Sequence, residues 1–356
     1  MKLSHVIEEL VEEKGLDRST LHTIMCEGML AAYSKKYPEF DFDVIYNKKI
    51  DEIEIFARKT IVNAVEDESK EITVRKARSI KPDSELGDII AVPFEQALGR
   101  IEILKAKQVI AQRIRTIEAE SIYQEFKPKE GTIVVGVIHK CERNGATVKI
   151  QDTLAFLPRS LMIPDDKCVA GYSIRALLRE VLLEPRNENQ LILDRVSSEF
   201  LYKLFELEIP EVFENLVEIK KIVRAAGYKS KVVVVSHDKN IDPVGTCVGV
   251  GGVRIKPILR ELGLEKIDII TQEDSTEEFV KSALKPATIN HVEIIEGKVA
   301  QVWLDEDQRS LAIGRMGKNI ALASELTGLE IHLMKSENQK DILNIALDDE
   351  DDKAQE

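Results

Sequence analysis

A multidomain α+β architecture is predicted: a mixed α/β head, then a five-stranded barrel, then two mixed modules in tandem. Three observations predict it. The chain has 356 residues and 44% hydrophobic content, enough to bury several cores. Its hydrophobic period switches between helical spacing and strand alternation at points marked by turn residues. The stretch that begins at Asp242 also recurs, without a gap, from Asp307, and such a self-match means one structural unit used twice.

The head, residues 1–126, opens on helices. Leu3, Val6, Ile7, Leu10 and Val11 recur at helical spacing up to Gly15, which suits a helix end. Asp17 or Ser19 can then cap a second helix carrying Leu21, Ile24, Met25, Met29 and Ala32. After "YPEF" the period becomes two. "FDFDVIYNKKIDEIEIFARKTIV" alternates around an "NKK" turn, which predicts a hairpin. Residues 101–126 return to a long helical pattern that Pro128 terminates. Nothing in the head has the residues of a catalytic or phosphate site.

Residues 130–198 read as strand throughout. "TIVVGVIHKCE", "ATVKIQ", "TLAFLP", "YSIRALLREVLL" and "NQLILDRV" are five candidates separated by turn signals such as "RNG". That number of strands in a segment of this size fits an OB barrel, whose strand face and loops bind single-stranded nucleic acid. His139, Lys140, Arg143, Phe156 and Arg159 are candidates for the stacking and phosphate contacts, although Phe156 has apolar neighbours and fits a core position equally well.

The repeat occupies residues 200–277 and 278–345, each half predicted as strand, strand, helix, glycine loop, helix, strand. "DPVGTCVGVGGVRIKPILRELGL" and "DQRSLAIGRMGKNIALASELTGL" align Gly249 with Gly314 and Gly252 with Gly317. Three phosphate-handling devices compete for these glycines. A dinucleotide fingerprint needs a third glycine where Arg254 stands, and a Walker loop needs Ser or Thr after Gly317-Lys318, where the chain has Asn319. The remaining device is the GxxG loop of a KH domain, which grips about four nucleotides of single-stranded nucleic acid between two short helices. Glycine admits a phosphate close to the backbone, and the next helix offers free N–H groups. Gly249, Val250, Gly251, Gly252, Arg254 and Lys256 are therefore the candidates in the first copy. Gly314, Arg315, Met316, Gly317, Lys318 and Asn319 are those in the second. Ile255, Ile258, Ile320 and Leu322 could line a groove for bases but are more simply core, and Trp303 is strand packing.

A net charge of −13 argues against a nucleic-acid partner until its distribution is considered. Acid gathers near the ends, including the tail at 346–356. Between Lys220 and Arg260 the bases Lys220, Lys221, Arg224, Lys229, Lys231, Lys239, Arg254, Lys256 and Arg260 are offset by Asp238 and Asp242 alone, which predicts a local basic surface. Cys26, Cys141, Cys168 and Cys247 are scattered, and the histidines do not cluster beside them. Neither a disulfide framework nor a metal site is expected, and no cofactor or catalytic group. No signal peptide or apolar span is evident, so a cytoplasmic protein without membrane contact is expected.

Head, barrel and paired KH modules in this order, with "DPVGTCVGVGG", "EKIDII", "LAIGRMGKNIALASELTGLEI" and "LFELEIPEV", resemble the bacterial transcription elongation and termination factors of the NusA family. The resemblance covers nearly the whole chain. It implies an S1-type barrel, type II KH domains, and a head that docks on RNA polymerase core through residues 1–126. Single-stranded nascent RNA would be held by the S1 and KH domains of a monomer, with other elongation or antitermination factors as further partners. Pausing, intrinsic termination and antitermination would be modulated, without enzymatic activity. Two departures stand out. The family's first loop usually carries a basic residue inside GxxG, which Val250 and Gly251 do not supply, so that loop is expected to hold RNA more weakly or through its flanks. Some members carry C-terminal acidic repeats, whereas this chain resembles a short form ending in "LDDEDDKAQE", and autoinhibition by such repeats is not expected. A ribosome-assembly or translation factor built from the same modules, or an accessory part of an RNA-processing enzyme, remains an alternative.

Overall fold

A computed structural model describes residues 17–335 except Lys48, Asp51, Asn187 and Glu188. The helix expected over 3–15 and the acidic tail at 346–356 lie outside the described residues. The chain divides into two compact units, residues 1–121 and 122–356.

In the first unit, α1 (Arg18–Lys36) begins where the Asp17 carboxylate accepts the Ser19 N–H at 3.1 Å, a side-chain cap for an otherwise orphaned donor. The expected hairpin forms from β1 (Asp41–Asn47) and β2 (Glu52–Val62), antiparallel with Asn47 opposite Glu52. Two short strands escaped the periodicity reading. β3 (Glu71–Thr73) pairs parallel to β2, α2 (Val74–Ile80) follows it, and β4 (Ile89–Pro93) pairs antiparallel to β2. They are too short to show a period of two. α3 (Arg100–Phe126) matches the long helical pattern, and its Ile114 packs with Leu21 and Ile24 of α1.

The second unit starts with a closed barrel. β5 (Ile133–Glu142), β6 (Gly145–Ile150), β7 (Thr153–Pro158), β8 (Ser173–Arg186) and β9 (Asn189–Asp194) close in the order β5-β6-β7-β9-β8. Alternation along the strands buries Ile138, Val148, Ala155, Leu157, Leu178 and Leu191 inside, with Phe126 against them.

Cys141 and Cys168 form a disulfide, which corrects the expectation of unlinked cysteines; their Cα atoms are 6.0 Å apart across a separation of 27 residues. Barrel closure brings them together. The Gly171 N–H donates to the Ile138 carbonyl at 2.8 Å and the Ile138 N–H to the Tyr172 carbonyl at 2.9 Å, so the loop before β8 runs beside the end of β5. Cys26 and Cys247 are free.

Two modules follow that share one order from the strand pair onward, the first having an extra short helix before its strands. The first comprises α4 (Ser198–Glu208), α5 (Pro210–Phe213), β10 (Val217–Ala225), β11 (Lys229–Ser236), α6 (Pro243–Val248), α7 (Ile255–Leu262) and β12 (Lys266–Thr271). The second comprises α8 (Thr276–Ala283), β13 (His291–Ile295), β14 (Val299–Leu304), α9 (Glu306–Ile313), α10 (Lys318–Thr327) and β15 (Glu330–Lys335). In each, the first strand pair is antiparallel and the last strand joins parallel to the middle one. This is the type II KH arrangement.

The parts of the second unit interlock through buried polar groups. Arg195, 3% exposed, donates to Asp166 at 2.9 and 3.1 Å and to the Glu261 carboxylate at 2.5 Å, tying barrel to first module. Val223 and Val233 of the first module share one apolar core with Leu322, Ala323 and Leu326 of α10 in the second. Among the described residues no helix is long and apolar enough to cross a membrane.

Candidate nucleic-acid interface

Each glycine loop joins two short helices. In the first module α6 is capped by Asp242, which accepts the Val244 N–H at 3.1 Å, and ends where the Gly249 N–H donates to the Gly245 carbonyl at 2.8 Å. The second repeats this ending, with the Gly314 N–H on the Ser310 carbonyl at 2.9 Å. The backbone conformations coincide. Gly249 has φ 72° and ψ 164° and Gly314 has φ 70° and ψ 176°, a region open essentially to glycine alone. Gly251 at φ 63°, ψ 19° matches Met316 at φ 54°, ψ 29°. One loop places glycine and the other a left-handed methionine at the same bend.

The loops are held from behind. A Cβ on Gly314 would lie 2.6 Å from the Asn319 Cβ. Asn319 itself is 2% exposed. Its amide donates to the Ala312 carbonyl at 3.1 Å and to the Leu284 and Leu311 carbonyls at 3.3 Å, while its oxygen accepts from Lys229 at 3.3 Å. Its side chain braces the loop internally. Arg254 is similarly engaged, pairing with Glu211 at 2.8 Å and donating to the Thr246 carbonyl at 2.9 Å. What faces outward is Val250 at 96% and Met316 at 85% exposure, together with exposed Arg315 and Lys256 and half-buried Lys318. Neither α7 nor α10 has a side-chain cap, so their first N–H groups remain available to an anion.

The basic stretch from Lys220 to Arg260 is not one basic surface, contrary to expectation. Arg224 is buried against Glu265 at 2.8 Å, and Lys229 and Lys231 bond Asp268 at 2.9 and 2.8 Å. Burial lowers the Lys231 pKa, opposed by the Asp268 charge. Lys220 pairs with Glu218, and Lys221 donates to the Glu325 and Leu326 carbonyls at the end of α10. The acidic partners all lie outside the window, so counting acids within it missed them. Lys256 and Arg260 are exposed without an ion pair among the described residues.

On the barrel, a register shift between Ile138 and Lys140 leaves both His139 and Lys140 exposed. Lys140, Thr147 and half-buried Phe156 line up across β5, β6 and β7. Phe156 points away from the interior because its neighbours Ala155 and Leu157 are inside. The Arg159 N–H donates to the Asn144 carbonyl at 2.8 Å, which brings Arg159 to the same hairpin end. Lys140 pairs with Glu142 at 2.8 Å, and that hydrogen bond raises its pKa.

One contact had no sequence signal. Tyr228, in the first module's hairpin turn, accepts the Arg315 N–H of the second loop at 3.2 Å, and Lys318 lies 5.0 Å from its ring centroid. Ile255, Ile258, Ile320 and Leu322 all belong to apolar cores, and Trp303 packs on β14 beside His291. Among the described residues no group of three His, Cys, Asp or Glu could hold a metal ion.

Family models match three stretches of the chain. The NusA N-terminal domain matches residues 2–120, the NusA-like first KH domain 195–272, and the NusA-like second KH domain 276–341. A transcription termination/antitermination protein NusA from Thermus thermophilus is 35% identical over 345 residues, covering 93% of this chain and 89% of the relative. Its namesake from Bacillus subtilis is 33% identical, covering 94% and 90%. That of Rickettsia conorii is 33% identical, covering 95% of this chain and 68% of the relative.

Proposed function

Because the chain belongs to the NusA family, we propose that it is a non-enzymatic transcription factor that anchors on RNA polymerase core through residues 1–126 and holds nascent single-stranded RNA. By that hold it modulates pausing, intrinsic termination and antitermination in the cytoplasm, as a monomer joined by other elongation or antitermination factors. The observation that carries the RNA reading is the pair of glycine loops with coincident backbone angles. Each sets close-approach glycines before an uncapped helix start, which suits a phosphate oxygen. In the first loop exposed Lys256 supplies the charge; in the second, exposed Arg315 and half-buried Lys318 do. Lys140, Phe156 and Arg159, with His139 beside them, form the barrel's contribution, and a continuous RNA track across barrel and KH domains follows from these sites.

The test has two parts. Purified RNA polymerase is assayed for pause lifetime and termination efficiency with and without the full chain; no effect on either overturns the reading. Val250 and Gly251, and Arg315 and Met316, are then changed to aspartate in one protein, which sets carboxylates against phosphates. RNA affinity is expected to fall by about tenfold or more, given groove contacts of about 1–3 kcal/mol each.

A further inference from the structure

The second KH loop is not built by its own domain alone. Tyr228 belongs to the turn between β10 and β11, where its N–H donates to the Ala225 carbonyl at 2.9 Å, yet its side chain lies against the loop at 314–317. A phenol hydroxyl carries one donor and two acceptor lone pairs. One lone pair accepts the Arg315 N–H at 3.2 Å, while the O–H has no acceptor among the described residues. Two cationic residues adjoin its side chain, exposed Arg315 on the loop and Lys318 at 5.0 Å from the ring centroid, while the Glu265 carboxylate that accepts the neighbouring Gly227 N–H is already paired with Arg224. The first N–H groups of α10 add further donors. A hydroxyl proton among donors and cations is complementary to an anionic oxygen supplied from outside.

We propose that Tyr228 is a phosphate-binding residue of the second KH loop, contributed by the first KH domain, so that the RNA site at Gly314–Gly317 is composite and incomplete in an isolated second domain. The proposal rests on the RNA-binding reading above. It adds the donor, a backbone phosphate as its acceptor, and a reason for the two domains to sit in fixed register. Lys221 on the α10 carbonyls and Lys229 on Asn319 hold that register from the same two strands.

The experiment uses the full chain and a fluorescent single-stranded RNA of mixed sequence. Tyr228→Phe keeps the ring and its Lys318 contact but removes the hydroxyl. RNA affinity is expected to fall by about ten- to a hundredfold, the scale of one hydrogen bond to a charged group, with the unfolding midpoint unchanged. Neutral methylphosphonates are then walked along the RNA, and at one position the losses from Tyr228→Phe and from the modified phosphate should fail to add. If the losses add at every position, Tyr228 merely holds the Arg315 N–H, and the phosphate assignment is overturned. If Tyr228→Phe binds like the parent while the Arg315→Asp, Met316→Asp protein loses affinity, the composite site is overturned and the KH reading survives. If that double change is itself silent, the RNA reading of the second loop falls, and this proposal with it.

Discussion

Gly314 has no tolerated replacement, for two independent reasons. Its φ of 70° with ψ of 176° excludes side chains, and a Cβ would overlap Asn319, which is itself fixed by three carbonyls and a lysine. Gly314→Ala is therefore expected to lower stability by about 1–3 kcal/mol, read as a shift in the urea midpoint. Met316 also adopts a positive φ, 54°, but its side chain is exposed, so only the backbone term applies there. Cys247 makes a different residue-scale point. It is buried, and burial followed by the Glu211 charge pushes its pKa up to about 12 from an ordinary value of 9.0. Above the ordinary value the unfolded chain releases the thiol proton while the folded chain keeps it, so unfolding is favoured as pH rises. The parent is expected to lose stability relative to Cys247→Ala between pH 9 and about 12; equal slopes over that range would contradict it.

At the scale of elements, cohesion comes from buried ion pairs more than from the many surface ones. Arg195 is 3% exposed and sits between Asp166 on the barrel and Glu261 on α7. Arg195→Ala leaves both carboxylates without their partner, and a loss of about 3–5 kcal/mol is expected in denaturant unfolding. Lys149→Ala is the control. Its pair with Asp152 at 3.3 Å is open to solvent, so a change below about 1 kcal/mol is expected. The same distinction explains the basic stretch in the first KH domain. β11 opens with Lys229 and Lys231 two residues apart on one face, yet both are buried, because the second KH domain covers the sheet face they occupy.

For the whole molecule, two compact units predict two calorimetric transitions. The Cys141–Cys168 link closes a loop of 27 residues in the second unit alone. Reduction with dithiothreitol is expected to destabilise that unit by about 3–4 kcal/mol on the chain-entropy argument and to leave the head's transition unmoved. Much of this architecture was legible beforehand. Strand alternation gave the barrel and the hairpin, and the ungapped repeat gave two KH domains, because periods of two, 3.6 and one whole module are written along the chain. The glycines of both loops were legible for the same reason, as fixed spacings with a backbone requirement behind them. What only the tertiary structure decided are relations between residues far apart in sequence. Barrel closure joined Cys141 to Cys168, distant acids neutralised Arg224 and Arg254, carbonyls of its own domain turned Asn319 inward, and the packing of one KH domain on the next set Tyr228 on its neighbour's loop. No local period encodes such contacts, since each depends on where separate elements come to rest.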